Sequence, residues 1–172
     1  MDLEPVTCCF TGHRKIPPEY DQPLRQALEN AVRKLITERN CTRFCIGGAH
    51  GFDQMAGEVI QSMRQEFPEK PFVLLLYLPY QGIEAHWSDE QKRAFRDSEK
   101  EYASPFYHRG CFYARNRAMV DCSEYCICYL TAPKGGTAFT VQYAEKKHLD
   151  IQNLNDELPG APPSPFELQL HF

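Results

Sequence analysis

Glycines set beside cations and hydroxyls recur at three places in the chain, each with the composition of an anion-binding loop. The first is Thr11-Gly12-His13-Arg14-Lys15. A glycine lets a ligand come close to the backbone, and Arg14 offers a planar fork of donors suited to phosphate or carboxylate. The second is Gly47-Gly48-Ala49-His50-Gly51-Phe52-Asp53. Backbone N–H groups at the start of a helix, reinforced by the helix dipole, make such a stretch an anion site. The run is neither a strict GxGxxG fingerprint nor a P-loop ending in GK[ST]. Asp53 suits helix capping as well as ligand contact, and His50 suits a plain surface position equally well. The third is Pro133-Lys134-Gly135-Gly136-Thr137, with Thr137 placed to cap a helix or to donate its hydroxyl to phosphate. A turn without a ligand accounts for any one of these loops, whereas their convergence favours a ligand. Between the last two lies Tyr113-Ala114-Arg115-Asn116-Arg117, where helical geometry turns Arg115 and Arg117 to different faces. Tyr80 and Trp87 suit stacking on a base or closing a pocket, and Trp87 suits the core equally well.

Elements able to position these groups are legible in the hydrophobic pattern. Val6 to Phe10 reads as a strand, and Asp21 to Arg39 as a helix with Leu24, Leu28, Ala31, Leu35 and Ile36 at helical spacing. Arg43 to Ile46 is a second strand, and Met55, Val59, Ile60 and Met63 mark one face of a second helix. Phe72 to Leu78 is continuously apolar, as expected of a parallel strand covered on both faces. Gln81 to Trp87 reads as a loop, and Ser88 caps a charged helix reaching about Glu101. Tyr102 to His108 fits a short strand or irregular chain. Tyr113 to Val120 reads as a helix, Tyr125 to Leu130 as a strand, Thr137 to Lys147 as a helix, and Asp150 to Leu154 as an edge strand. Strands alternating with helices predict a three-layer α/β/α Rossmann-like fold with a mostly parallel twisted sheet. In such a sheet the three loops share the carboxyl edge, where ligands bind. The expected division is a Rossmann-like domain over 1–154 and a Pro-rich, loosely packed extension over 155–172. Phe166, Leu168, Leu170 and Phe172 in that extension are suited to docking.

Composition narrows the function classes. At 172 residues with 42% hydrophobic content the chain suits one domain with an ordinary core. A net charge of −4 with no long basic run argues against general nucleic-acid binding, which needs clustered cations. The start is neither basic nor followed by a long apolar stretch, and no run approaches the roughly 20 residues that span a bilayer, so a cytoplasmic protein without a membrane partner is expected. The eight cysteines form no CxxC pair. Cys8, Cys9, Cys45, Cys126 and Cys128 fall in strands, which favours buried thiols over disulfides or a metal site, and no metal ligands are assigned.

The ordered set of motifs resembles the YpsA-like branch of the SLOG superfamily, which groups the Smf/DprA and LOG-type proteins. The matching residues are Thr11-Gly12-His13-Arg14, Gly47-Gly48-Ala49 with Gly51, and Leu78-Pro79-Tyr80-Gln81. Arg115-Asn116, Met119-Val120-Asp121 and Gly135-Gly136-Thr137 continue the match, which covers roughly residues 5 to 154. The resemblance implies a Rossmann-like fold and a ligand of the nucleotide or nucleotide-sugar class, such as ADP-ribose, NAD or a related compound. It selects Arg115 and Asn116 for the pocket. It also implies partners in nucleotide sensing, bacterial stress or phage defence and cell division, and admits a homo-oligomer or a protein partner. LOG-type relatives are phosphoribohydrolases with an RK pair and a PGGxGTxxE loop. Here Asn116 replaces the lysine, the loop is shortened, and Thr140 occupies the glutamate position, which removes the obvious carboxylate for glycosidic chemistry. The expectation is a non-catalytic binding or sensing domain. The alternatives are a nucleotide N-glycosidase, with His13, Asp53 or Glu145 as base, and single-stranded DNA binding. No catalytic residue or cofactor is assigned. The ligand-binding set is Thr11, Gly12, His13, Arg14, Gly47, Gly48, Ala49, Gly51, Asp53, Tyr80, Arg115, Asn116, Lys134, Gly135, Gly136 and Thr137.

Overall fold

A computed structural model describes residues 3–165. Strand β1 (Val6–Gly12) leads through a 3₁₀ turn (Pro18–Tyr20) into α1 (Asp21–Glu38), whose third residue is Pro23, placed where a backbone N–H needs no helical partner. Then come β2 (Cys41–Ile46), α2 (Phe52–Glu66), β3 (Val73–Leu78), a 3₁₀ turn (Ile83–His86), α3 (Asp89–Ala94) and β4 (Glu99–Tyr102). The chain closes with α4 (Cys111–Asp121), β5 (Tyr125–Tyr129), α5 (Gly136–Lys146), β6 (Asp150–Asn153) and a 3₁₀ turn (Leu154–Glu157).

All six strands are parallel, in the order β4-β3-β2-β1-β5-β6. The chain therefore steps outward from β1 to β4, then returns to the other side of β1 for β5 and β6. That reversal opens a crevice beyond the carboxyl ends of β1 and β5, the position where open α/β sheets take ligands. Side chains alternate between two cores. Phe10, Phe44, Ile46, Leu74, Leu76 and Tyr129 meet the apolar stripes of α1 and α2, including Leu24, Leu28, Leu35, Met55, Val59 and Ile60. On the other face Cys9, Cys45, Leu75, Cys126 and Cys128 lie under α4 and α5, against Met119, Val120, Ala138, Val141 and Ala144. Cys9 is in register with both Cys45 and Cys126, so thiols run in a row across three strands. They act as small hydrophobes; burial likewise pushes up the thiols of Cys128 on this face and Cys8 on the opposite one, away from the reactive thiolate. No helix among the described residues is long and apolar enough to cross a membrane.

Two expectations change. The charged helix from Ser88 ends at Ala94 rather than near Glu101. Its start is as expected, with a reciprocal Ser88–Gln91 capping box. Its end is set from outside. Gln61 Nε2 donates to the carbonyls of Ala94 (3.2 Å) and Arg96 (2.8 Å), Arg64 donates to Asp97 (2.8 Å), and Asp97 takes a positive φ of 52°. The following Glu99-Lys100-Glu101 then pairs with β3 as an exposed edge strand, where charge discourages further pairing. Helical charge density and a charged edge read alike in sequence.

The residues after 154, expected to be loosely packed, are held through Ser164. Leu158 is buried in the larger core with Ala161 packed nearby. Asn155 Nδ2 donates to Pro162 (2.7 Å), Asn153 Nδ2 to Ser164 Oγ (2.7 Å), and Tyr20 to Gly160 (3.3 Å). Prolines limit the freedom of this stretch without loosening it. The docking expected of Phe166, Leu168, Leu170 and Phe172 lies outside the described residues.

Candidate functional site

A cleft of about 380 Å³ opens at the crevice beyond β1 and β5. Thr11, Gly12, His13 and Arg14 line it from the end of β1, and Gly47, Ala49 and Asp53 from the β2–α2 loop. Arg115 and Asn116 contribute from α4, and Lys134, Gly135, Gly136 and Thr137 from the β5–α5 loop. Three residues of the expected set stand outside the lining. Gly48 turns the loop at φ +79°, where a Cβ would approach Leu78 Cδ2 to 2.7 Å. Gly51 abuts the Arg14 carbonyl, and Tyr80 packs edge-on to Phe112 with centroids 6.5 Å apart.

At the floor of the cleft, Arg115 and Asp53 face each other across Gly47. A Cβ on Gly47 would stand 2.7 Å from Arg115 Nη1 and 3.1 Å from Asp53 Oδ2, so only glycine fits between them. Arg115 Nη1 donates to the Gly47 carbonyl and Nε donates to Asn116 Oδ1 (2.7 Å). Asp53 Oδ2 accepts from the Ala49 N–H (3.1 Å), closing the loop onto the first turn of α2. Burial pulls the Arg115 pKa down and pushes the Asp53 pKa up, and in each case the opposite partner works against the shift. Arg14, exposed at the mouth, favours the Asp53 carboxylate and adds to the repulsion on Arg115. Arg117 turns away and sits over the Phe139 ring at 5.9 Å.

His13 ties the three loops together. Its carbonyl accepts from the Phe52 N–H (3.2 Å), and its Nε2 accepts from the Thr131 N–H (2.8 Å). That acceptor role requires the neutral ring with its proton on Nδ1. Burial lowers its pKa, which favours the neutral ring. His13 is therefore a clasp between β1 and β5 rather than a free base.

The β5–α5 loop presents the group most ready to bind an anion. α5 begins at Gly136 with no side-chain cap, and a Cβ on Gly135 or Gly136 would meet nothing within 4 Å. Its first N–H groups thus lack a side-chain partner, and Lys134 stands exposed beside them. Thr140, at the position of the LOG-type glutamate, is buried and returns its hydroxyl to the Gly136 carbonyl (2.8 Å). Glu145, further along α5, is not part of the lining. His50 is exposed.

Sequence reasoning missed four lining residues: Phe10, Phe112, Tyr113 and Met119. Phe10 and Met119 are buried; Phe10 falls in the expected first strand and Met119 in the matching run Met119-Val120-Asp121, and neither type carries polar chemistry. Phe112 and Tyr113 carried a signal, since they begin a helix that also carries Arg115, but their approach to the cleft depends on how α4 crosses the sheet. Tyr113 is 44% exposed, high for a ring beside a pocket.

A family model described as the YspA SLOG family matches residues 18–157. The uncharacterized SPbeta prophage-derived protein YoqJ of Bacillus subtilis (strain 168) is 26% identical over 146 residues, which cover 75% of this chain and 84% of YoqJ. Among solved structures, DNA processing protein A from Helicobacter pylori, described by its single-stranded DNA binding mode, is similar with a TM-score of 0.62 at 21% identity. That match covers 86% of this chain and 64% of the other. DNA processing protein A from Streptococcus pneumoniae gives 0.61 at 16% identity, over 91% of this chain and 54% of that one. The chain thus spans less than two thirds of either protein, and the likeness shows the shared fold.

Proposed function

The chain belongs to the YspA SLOG family, and on that premise we propose that it binds a nucleotide-like, phosphate-bearing ligand, of the ADP-ribose or NAD kind, as a sensing domain. One observation carries the reading. Three glycine-bearing loops and Arg115 meet in a single cleft at the strand-order reversal, and the α5 N-terminus faces that cleft without a side-chain cap. Phosphate suits the α5 start with Lys134 and Thr137, where N–H groups, dipole and cation act together. Thr11 and Thr137 add hydroxyls that can donate to it, and Arg14 adds charge at the mouth.

The lining gives little support to glycosidic hydrolysis. Asp53 is buried, accepts from the Ala49 N–H and feels the Arg115 charge, His13 accepts from Thr131, and Thr140 supplies no carboxylate. A general base must reach a water or the scissile bond with an open lone pair. Single-stranded DNA binding describes the Helicobacter pylori relative, and the net charge of −4 works against it here. Calorimetric titration with ADP-ribose, NAD, AMP and ribose 5-phosphate tests the proposal, with an assay for free base in the same samples. Saturable binding of a nucleotide without release of base supports sensing. Base release would replace it with the hydrolase, and heat signals only from oligonucleotides would replace it with the DNA reading.

A further inference from the structure

We propose that the cleft contains a base-stacking subsite built on Phe112, so that the ligand's heteroaromatic ring is held by ring contacts rather than by a hydrogen-bond code. The inference rests on the nucleotide reading and adds where the base lies and how it is recognised. Phe112 lines the cleft from the first turn of α4. Arg115 Cζ sits 5.7 Å from its ring centroid, and Tyr80 meets it at 6.5 Å with planes 73° apart. Tyr107 in turn braces Tyr80 at 5.7 Å and 85°. These neighbours fix the Phe112 ring, yet the group is only partly covered: Phe112 is half-buried, and Tyr107 is 64% exposed. Apolar rings this exposed, continuous with a polar cleft, provide area that a flat ligand ring can cover.

The geometry also separates the two halves of a ligand. The phosphate-suited loop follows β5, whereas Phe112 shares its side of the cleft with Arg115 and Gly47 after β2. The strands β5 and β2 flank β1, so these places lie about two strand spacings, roughly 10 Å, apart. That is comparable with the reach of a nucleotide from phosphate to base. Arg115, the cation nearest Phe112, directs Nη1 to the Gly47 carbonyl and Nε to Asn116 Oδ1 rather than to the ring's open side. Stacking without committed hydrogen-bond partners tolerates different bases, since every base offers a π face. The subsite therefore accepts adenine and guanine nucleotides alike.

The test compares compounds that differ only by the base. Dissociation constants for AMP, GMP and ribose 5-phosphate, with ADP-ribose and NAD in the same panel, are measured on the wild-type chain and on Phe112→Ala, Phe112→Leu and Phe112→Trp. Thermal unfolding confirms that each variant folds. With the base stacked on Phe112, AMP and GMP bind within a few-fold of each other and roughly 5- to 100-fold more tightly than ribose 5-phosphate. Phe112→Ala and Phe112→Leu remove most of that advantage and leave ribose 5-phosphate unchanged, whereas Phe112→Trp keeps it and its fluorescence is quenched by AMP. Equal wild-type affinities for AMP and ribose 5-phosphate would overturn the stacking subsite while sparing the phosphate reading. An equal loss of both compounds in the Phe112 variants would overturn it too. If no member of the panel binds the wild type, the nucleotide reading falls and the subsite with it.

Discussion

Truncating Arg115 removes more than a cation from the cleft lining, because its guanidinium faces the buried Asp53 across Gly47 and holds the Gly47 carbonyl. Arg115→Met is expected to cost on the order of 3 kcal/mol by leaving a buried carboxylate uncompensated. Adding Asp53→Asn should return part of it, so denaturant unfolding of the two single variants and the double variant gives a positive coupling of about 1 kcal/mol or more. Strict additivity would show that the two side chains do not sense each other. His13 carries a pH dependence with a definite sign. Folding lowers its pKa from 6.5, so its contribution is complete above that value and is lost as pH falls through the folded pKa. His13→Gln retains an acceptor that does not titrate. Its melting temperature should fall less than that of the wild type on acidification below pH 6.5, and parallel curves would contradict the clasp. In sequence, Arg115 was selected for the pocket from a motif match. Its structural role was hidden because it depends on a glycine far away in the chain.

At the scale of elements, the two Gly-Gly turns look alike in sequence but do different work. Gly48 is outside the cleft lining, at φ +79° and against Leu78, so Gly48→Ala should destabilise the fold by about 1–3 kcal/mol through strain and overpacking. Gly136 opens onto the cleft with nothing within 4 Å of a Cβ, and it begins α5. Gly136→Asp should therefore leave stability unchanged or raise it by about 0.3–1 kcal/mol, since an acid suits a helix start, while weakening phosphate binding at least about tenfold. Melting curves paired with titration of the best-binding nucleotide check both signs. A Gly136→Asp chain that melts normally and binds normally would move the phosphate elsewhere. Periodicity showed most elements within a few residues, α1 and α2 most clearly, because one face of each meets a single core. It failed at Glu99 to Tyr102, where pairing to β3 and the Gln61 and Arg64 side chains decide the outcome. Those are tertiary effects with no local signature.

For the molecule as a whole, alternating strands and helices were enough to anticipate a parallel sheet with the glycine-bearing loops at one edge. They did not show the strand order, which determines that β1 and β5 are neighbours and that their loops frame the cleft. The crossing of α4, and with it the aromatic wall of Phe112 and Tyr113, was likewise beyond any local pattern. Nor was the closure of the core by residues after 154 legible, since a Pro-rich composition says nothing of what it packs against. Leu158→Ala tests that closure: loss of a side chain 6% exposed in the main core should cost about 2–4 kcal/mol and lower the melting temperature by several degrees. A change within error would mean that the segment adds no stability. Whether the cleft at the strand-order reversal holds the phosphate of a nucleotide-like ligand is tested most directly by melting temperature. Wild-type and Gly136→Asp chains are melted against AMP, ADP-ribose, NAD and ribose 5-phosphate. A ligand at about 100 times its dissociation constant adds about 2.7 kcal/mol, so the wild type should shift by roughly 5–10 °C with at least one adenine compound, and Gly136→Asp by far less. No shift with any compound, or equal shifts in both chains, would contradict phosphate binding at this cleft.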